Sequence, residues 1–311
     1  MQVVGLLLQQ MLQFFLMILL GFIVVKAGFL KTEDSKVLSA VSIYLVMPCV
    51  IINAFQIESD EQTAKGLLLA FGAAAVIHGV LLCLSSVLRK LLHLDAVEQV
   101  SVIYSNAGNI IIPVVLSVLG QEWVLYSSAF ISVQIILLWT HCRGVLNGKK
   151  SLAVRDILGN VNIIAILTGV LLFLFQIHLP QVVLDTCSSV GALLAPLGMI
   201  IIGMLAAGMN LRRIFSQPRI YRTVALRLLV CPLVILLMIG ISRAYLLMPD
   251  ARTILFISFL ACTAPASATI TQMAQIYERD AEYAGAVNIV TTLFCLLTMP
   301  VMTELYWVMV A

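Results

Sequence analysis

The chain consists mainly of continuous apolar runs, each about as long as a helix that crosses a membrane. About 20 consecutive apolar residues in a helix span the roughly 30 Å hydrocarbon core of a bilayer. Of the 311 residues, 62% are hydrophobic and 11% are charged, against roughly 25% charged residues in soluble domains. The runs lack the alternation typical of β-barrel strands. The sequence therefore predicts an all-α integral membrane protein.

Ten such runs fit into the chain, and we predict one transmembrane helix for each. The first run has neither a basic flank nor a small-residue cleavage site, so we expect a retained helix and not a signal peptide. The predicted spans are residues 4–25, 37–56, 64–88, 98–119, 123–142, 157–177, 183–209, 220–246, 252–275 and 283–309.

Basic residues in the connecting loops predict the orientation, because Lys and Arg in short loops stay on the cytoplasmic side. The loops after odd-numbered spans carry fourteen Lys and Arg residues, and the loops after even-numbered spans carry three, namely Lys65, Arg243 and Arg252. We therefore expect both termini at the outer face. Arg227 lies inside the eighth span, where we expect its side chain to extend to cytoplasmic headgroups.

The spacing of prolines suggests two halves of five spans each. Pro48 and Pro196 lie in the second span of each half, and Pro113 and Pro265 lie in the fourth. We expect a first repeat at 1–146, a basic cytoplasmic linker at 147–156 and a second repeat at 157–311. Because five is odd, duplicated halves insert with opposite orientations. Inverted repeats with broken helices recur in secondary transporters, whose sites lie near the midplane.

Two polar stretches interrupt the fourth and ninth spans, and we expect them to form one binding site. They read YSNAGNIIIP at 104–113 and CTAPASAT at 262–269. A half-helix that begins after each proline would offer free N–H groups and a positive dipole end to an anion. Amides and hydroxyls would add neutral donors. The predicted substrate-binding residues are Asn106, as the main contact, with Asn109, Ser105, Pro113, Thr263, Pro265 and Ser267; Pro48 and Pro196 are predicted structural breaks.

These motifs resemble those of the auxin efflux carrier family, which joins plant PIN-type carriers to bacterial transporters of small carboxylates. The resemblance rests on YLVMP at 44–48, SNAGNIIIP at 105–113, Ala264-Pro265 and TTLFCLLTMP at 291–300. It implies ten helices in two inverted five-helix repeats, with spans four and nine crossing as an X. It also implies elevator-type alternating access, a homodimer and a place in the bacterial inner membrane, where the loop charges put both termini on the periplasmic side.

Other polar residues within the spans leave their roles open. Ionisable groups in a membrane are functional candidates by default, and His78, which titrates near neutral pH, is either a carrier of a coupled proton or a structural residue. The remaining candidates either line the pathway or bridge helices; they are Gln134, Asn288, Thr291 and Thr292.

The sequence offers no motif for catalysis, metal binding or nucleic-acid binding. The seven Cys and four His residues are scattered without the spacing of metal ligands, so we expect no metal, no cofactor and no enzyme. The leading hypothesis is a secondary active transporter of a mono- or dicarboxylate, with proton or sodium coupling. The alternatives are a sodium-coupled symporter of the bile-acid-carrier type and a carboxylate sensor without transport.

Overall fold

The computed structural model describes residues 2–57, 60–148 and 159–310, and nearly all of them are helical or lie in short turns. Most of the predicted linker 147–156 lies outside these residues. The helices are α1 Gln2–Lys26, α2 Thr32–Ala54, α3 Glu61–Leu92, α4 Ala96–Ile103, α5 Ala107–Val118, α6 Gln121–Asn147, α7 Val161–Leu174, α8 Gln181–Ala207, α9 Leu211–Phe215, α10 Pro218–Ser242, α11 Ala251–Thr263, α12 Ala268–Ile276 and α13 Ala281–Val310.

Within the described ranges, seven helices are long and apolar enough to cross a membrane, namely α1, α2, α3, α6, α8, α10 and α13. Three shorter helices, α5, α7 and α11, are also apolar. The prediction of an all-helical membrane protein is confirmed. The predicted spans at 98–119 and 252–275 are each divided into two helices.

Polar side chains define where several helices begin. The Asp60 carboxylate accepts a hydrogen bond from the Thr63 N–H at 2.6 Å and caps α3. Hydrogen bonding from the Thr63 side chain, and then from its N–H, lowers the pKa of the Asp60 carboxyl. Asp95 and Glu98 form a reciprocal capping box at the start of α4. The Asn160 side chain accepts from two N–H groups of α7, so this helix begins at Val161 and not at the predicted residue 157.

Three interruptions in the long helices precede prolines, whereas the π-helical turn at Leu138–Cys142 in α6 does not. Wide π-helical turns at Ser42–Val46 and Leu226–Val230 come two residues before Pro48 and Pro232, and a turn at residues 192–193 precedes Pro196. Because proline lacks an N–H and its ring crowds the preceding turn, the helix loosens on the N-terminal side of the proline. Pro48 and Pro196 therefore mark breaks at similar places in α2 and α8.

Pro113 does not mark a break, and the prediction that a half-helix begins after it is wrong. It lies inside α5, which begins at Ala107. The chain is unwound earlier, at residues 104–106, whereas Pro265 lies within the second unwound segment. Pro113 removes one bond to the carbonyl of Asn109, four residues back, without ending the helix. The two prolines thus do not occupy corresponding positions.

The helices pack into two groups. In the first, α1 packs along α8, and α2 packs against α7 and α8. In the second, α3 to α6 and α10 to α13 surround the two unwound segments, with α3 against α6 and α11. Gly21 and Gly203 let the backbones of α1 and α8 touch, because a Cβ on either would collide with a backbone carbonyl of the other helix.

A buried carboxylate ties three helices together at one end of the second group. Glu98 of α4 is 1% exposed; it accepts a hydrogen bond from Arg222 Nη2 at 2.5 Å and forms an ion pair with Arg219 Nε at 3.1 Å. Tyr283 of α13 donates its hydroxyl to the same Glu98 oxygen at 3.4 Å. The guanidinium of Arg219 also lies over the Tyr283 ring, 4.1 Å from its centroid.

Replacement of Gly203 by Ala is expected to destabilise the protein, because the added methyl group collides with the backbone of α1 at Ile18 and Phe22. Overpacking of this kind costs about 1–3 kcal/mol. Gly72→Ala is the matched control, since a Cβ there meets nothing within 4 Å. Thermal unfolding of the purified protein in detergent measures both variants, and equal melting temperatures would contradict the tight α1–α8 contact.

Candidate functional site

The two unwound segments pair with each other in the interior of the second helix group. The N–H of Asn106 donates to the carbonyl of Pro265 at 2.8 Å, and the N–H of Ser267 donates to the carbonyl of Tyr104 at 3.0 Å. Ser105 and Ala266 face each other as a single antiparallel bridge. The predicted pair of polar stretches is therefore one structural unit, which we call the crossover, residues 104–106 and 264–267.

Gln134 of α6 supplies the hydrogen bonds that Ser105 lacks. Its Oε1 accepts from the N–H of Ser105 at 3.0 Å and from the Ser105 hydroxyl at 2.8 Å. Its Nε2 donates to the carbonyl of Ser105 at 2.8 Å. An unpaired peptide group at membrane depth costs several kcal/mol, so this side chain replaces the partner that a neighbouring strand would provide.

Residues of α13 supply hydrogen-bond partners for the backbone of Ala266. Asn288 Nδ2 donates to the carbonyl of Ala266 at 2.6 Å, and the N–H of Ala266 donates to the Thr291 hydroxyl at 3.1 Å. The hydroxyl of Thr292 bonds to the carbonyl of Asn288 within its own helix at 2.8 Å. The polar groups of Gln134, Asn288 and Thr291 thus bridge helices at the crossover.

The two half-helices that begin at the crossover differ in their capping. Ser267 caps α12, since its hydroxyl accepts from the N–H of Thr269 at 3.3 Å. Asn106 stands at the corresponding position before α5 but makes no capping bond. Its Oδ1 accepts instead from Asn109 Nδ2 at 3.1 Å. The first turn of α5 therefore keeps N–H groups that no side chain caps.

The hydroxyls of Ser105 and Thr263 are engaged within the protein, whereas the two amides are not fully engaged. The Ser105 hydroxyl is bound to Gln134, and the Thr263 hydroxyl donates to the carbonyl of Leu260 at 2.8 Å. Asn106 is 6% exposed, and its Nδ2 has no partner among the described residues. Asn109 Oδ1 is buried without a partner. The amide pair is the unsatisfied part of the crossover.

Arg227 lies beside the crossover and does not extend to the membrane surface, so that prediction is wrong. Its side chain is 0% exposed. Nε donates to the carbonyl of Ala264 at 3.0 Å, Nη1 to those of Val102 at 3.0 Å and Ile103 at 3.1 Å, and Nη2 to that of Cys262 at 3.0 Å. The free carbonyls at the ends of α4 and α11 hold the guanidinium more strongly than water could at that depth.

His78 is buried next to the crossover without hydrogen-bonding to it. Its Nδ1 lies 2.8 Å from the carbonyl of Ala74, which can only accept, so the proton is on Nδ1. Nε2 is buried without a partner, and the ring packs against Phe130 with centroids 4.5 Å apart.

The first turn of α5 faces the other helix group. A Cβ on Gly108 would lie 2.7 Å from Cε of Met47 in α2, and one on Gly198 in α8 would lie 3.6 Å from Cβ of Asn109. Met47 directly precedes Pro48, and Gly198 lies two residues after Pro196. The amide pair thus lies where the two helix groups meet, next to the breaks in α2 and α8.

Apolar helices around two broken helices that pair at their unwound segments define a multi-pass membrane protein of the transporter type. The sequence profile of the family described as membrane transport protein matches residues 6–154 and 145–303. The chain belongs to this family, which confirms the assignment to the auxin efflux carriers. A search of curated proteins finds no match. Within the described residues, no group of three His, Cys, Asp or Glu side chains could hold a metal ion.

The bridging role of Thr291 leads to a prediction about stability. Thr291→Val leaves the buried N–H of Ala266 without a partner, which costs about 1–3 kcal/mol. Thr303→Val in the same helix is the control: both threonines are 0% exposed, but the hydroxyl of Thr303 has no hydrogen-bond partner. Thermal unfolding in detergent should show a lower melting temperature for Thr291→Val alone. A loss of the same size in both variants would contradict the bridging role.

Proposed function

We propose that this membrane transport protein is a secondary active transporter of a small organic anion, a mono- or dicarboxylate. The observation that carries the proposal is the uncapped first turn of α5 next to the Asn106–Asn109 pair. Half-helix N-termini inside a membrane protein attract anionic groups through their free N–H groups and positive dipole ends. Nδ2 of Asn106 adds a neutral donor, and without a fixed cation in direct contact the anion can be released.

The transporter would cross the membrane ten times, with both termini at the outer face of a bacterial inner membrane. Seven spans are the long apolar helices, and the other three are α7 and the broken pairs α4–α5 and α11–α12. The chain would consist of two inverted repeats, 1–146 and 157–311, joined by a linker at 147–156. This arrangement would explain why α6 and α13, the last helices of the two halves, have similar roles. Gln134 in α6 bonds to Ser105 as Asn288 and Thr291 in α13 bond to Ala266.

Alternating access would be of the elevator type. The group of α3 to α6 and α10 to α13 would move with the crossover as one body, while α1, α2, α7 and α8 would form the scaffold and the contact of a homodimer, with lipid around both. Support comes from the place of the amide pair between the two groups, where Met47 and Gly198 of the scaffold meet Gly108 and Asn109. If the moving group slid against the scaffold along this contact, the anion would be exposed to one membrane face at a time.

The coupling ion would be a proton or sodium. His78 is the candidate proton carrier, because its Nε2 is free to accept a proton. Sodium would need a cage of oxygen atoms, and the hydroxyls of Ser105 and Thr263 are engaged with Gln134 and Leu260.

The decisive substitution is Asn106→Ala, which removes the amide donor but keeps the backbone bond to Pro265. A hydrogen bond to a charged partner contributes about 1.5–3 kcal/mol, so we expect a loss of affinity of roughly tenfold to a hundredfold. Asn162→Ala in α7 is the matched control, since Asn162 is also 6% exposed. Counterflow into proteoliposomes with a panel of mono- and dicarboxylates measures the effect.

Unchanged kinetics in Asn106→Ala for every transported substrate would show that the site is assigned wrongly. Saturable binding of a carboxylate without counterflow in the wild-type protein would indicate the sensor instead. Flux that disappears when sodium is replaced by choline at fixed pH would indicate a sodium-coupled symporter.

A further inference from the structure

Arg227 is a buried cation without a carboxylate partner. Within the described part of the chain it forms no ion pair, and it makes four hydrogen bonds, to the backbone carbonyls of Val102, Ile103, Cys262 and Ala264. The nearby titratable groups are His78 and the thiols of three buried cysteines, which are Cys231, Cys262 and Cys295. Its positive charge is therefore balanced by backbone dipoles alone.

The four carbonyls come from the ends of two helices. Val102 and Ile103 are the last residues of α4, and Cys262 and Ala264 flank Thr263, the last residue of α11. Helix C-terminal carbonyls lack intrahelical partners and carry the negative end of the helix dipole. In secondary transporters with broken helices, such unwound carbonyls and half-helix ends coordinate the coupling cation. Here a guanidinium attached to the chain fills that position.

We propose that Arg227 is a built-in replacement for a coupling cation at the crossover. It satisfies the carbonyl cage permanently, so the crossover needs no sodium to form, and its positive charge favours an anion over a cation at the adjacent N-terminus of α5. The preference for an anion rests on the proposed function, whereas the independence from sodium does not. An arginine suits this role better than a lysine because its planar fork reaches carbonyls of both helices at once.

A clamp that only holds two helix ends would have the same contacts, so the test must measure ion dependence as well as stability. The first measurement is the melting temperature of Arg227→Ala in detergent, titrated with sodium, lithium or guanidinium ions at constant ionic strength. Removal of the side chain empties a cage of carbonyls, so we expect added small cations to raise the melting temperature. Arg212→Ala, which removes an exposed arginine, should respond as little as the wild-type protein.

The second measurement is anion flux in proteoliposomes with sodium replaced by choline at fixed pH. The wild-type protein and Arg227→Lys should both transport without sodium, the latter more slowly. Arg227→Ala should lose about tenfold or more of its flux, since several bonds to a charged group are removed, and guanidinium should restore part of it. Arg227→Lys also serves if Arg227→Ala does not fold, and we expect the lysine variant to fold because it keeps the charge.

Three results would overturn the proposal. The first is wild-type flux that requires sodium. The second is an Arg227→Ala variant whose melting temperature responds to each cation no more than that of Arg212→Ala, and the third is an Arg227→Lys variant that does not fold or that needs sodium. The cation titration requires no substrate. An absence of flux for every anion tested therefore counts against the proposed function, while the titration still decides whether Arg227 replaces a cation.

Discussion

The structure depends on satisfying backbone hydrogen bonds where two helices are broken at membrane depth. Every break creates one helix end with free carbonyls and one with free N–H groups, and hydrocarbon offers no partner for either. Arg227 binds the carbonyl ends, Gln134, Asn288 and Thr291 bind the peptide groups in between, and Ser267 caps the start of α12. Of these two helix starts, that of α5 has no side-chain cap, which is why the proposed ligand is an anion placed there.

The crossover separates a fixed charge from the proposed ligand site. A cation in direct contact with a carboxylate would bind it tightly and hinder release, and a buried charge without partners would be unstable. Arg227 avoids both problems, because its donors are used by carbonyls and its charge acts on the proposed site only through space. The neutral amides of Asn106 and Asn109 then supply direct contacts whose energy is modest.

Much of this arrangement could be predicted from local sequence, and the rest depends on contacts between distant residues. Composition and spacing were enough to predict the apolar helices and the pairing of the polar stretches around Asn106 and Pro265. Pro113 misled the prediction because a proline inside a helix removes one hydrogen bond and need not end the helix. The partners of Gln134 and Arg227 lie 29 and between 35 and 125 residues away in the chain, so no local pattern reveals that these side chains serve the crossover.

The arrangement of charged side chains along α10 has a mechanical consequence. Near its first turn, α10 forms ion pairs with Glu98 of α4 through Arg219 and Arg222. About two turns further on, Arg227 of α10 forms a hydrogen bond to the other end of α4. Two helices joined at a single contact can rotate relative to each other about that contact. Here the shorter helix, α4, is attached to α10 at both of its ends, so this rotation is prevented. Any force that displaces α10 along the membrane normal is therefore transmitted to α4 without rotation, and the crossover at the end of α4 has to travel with it.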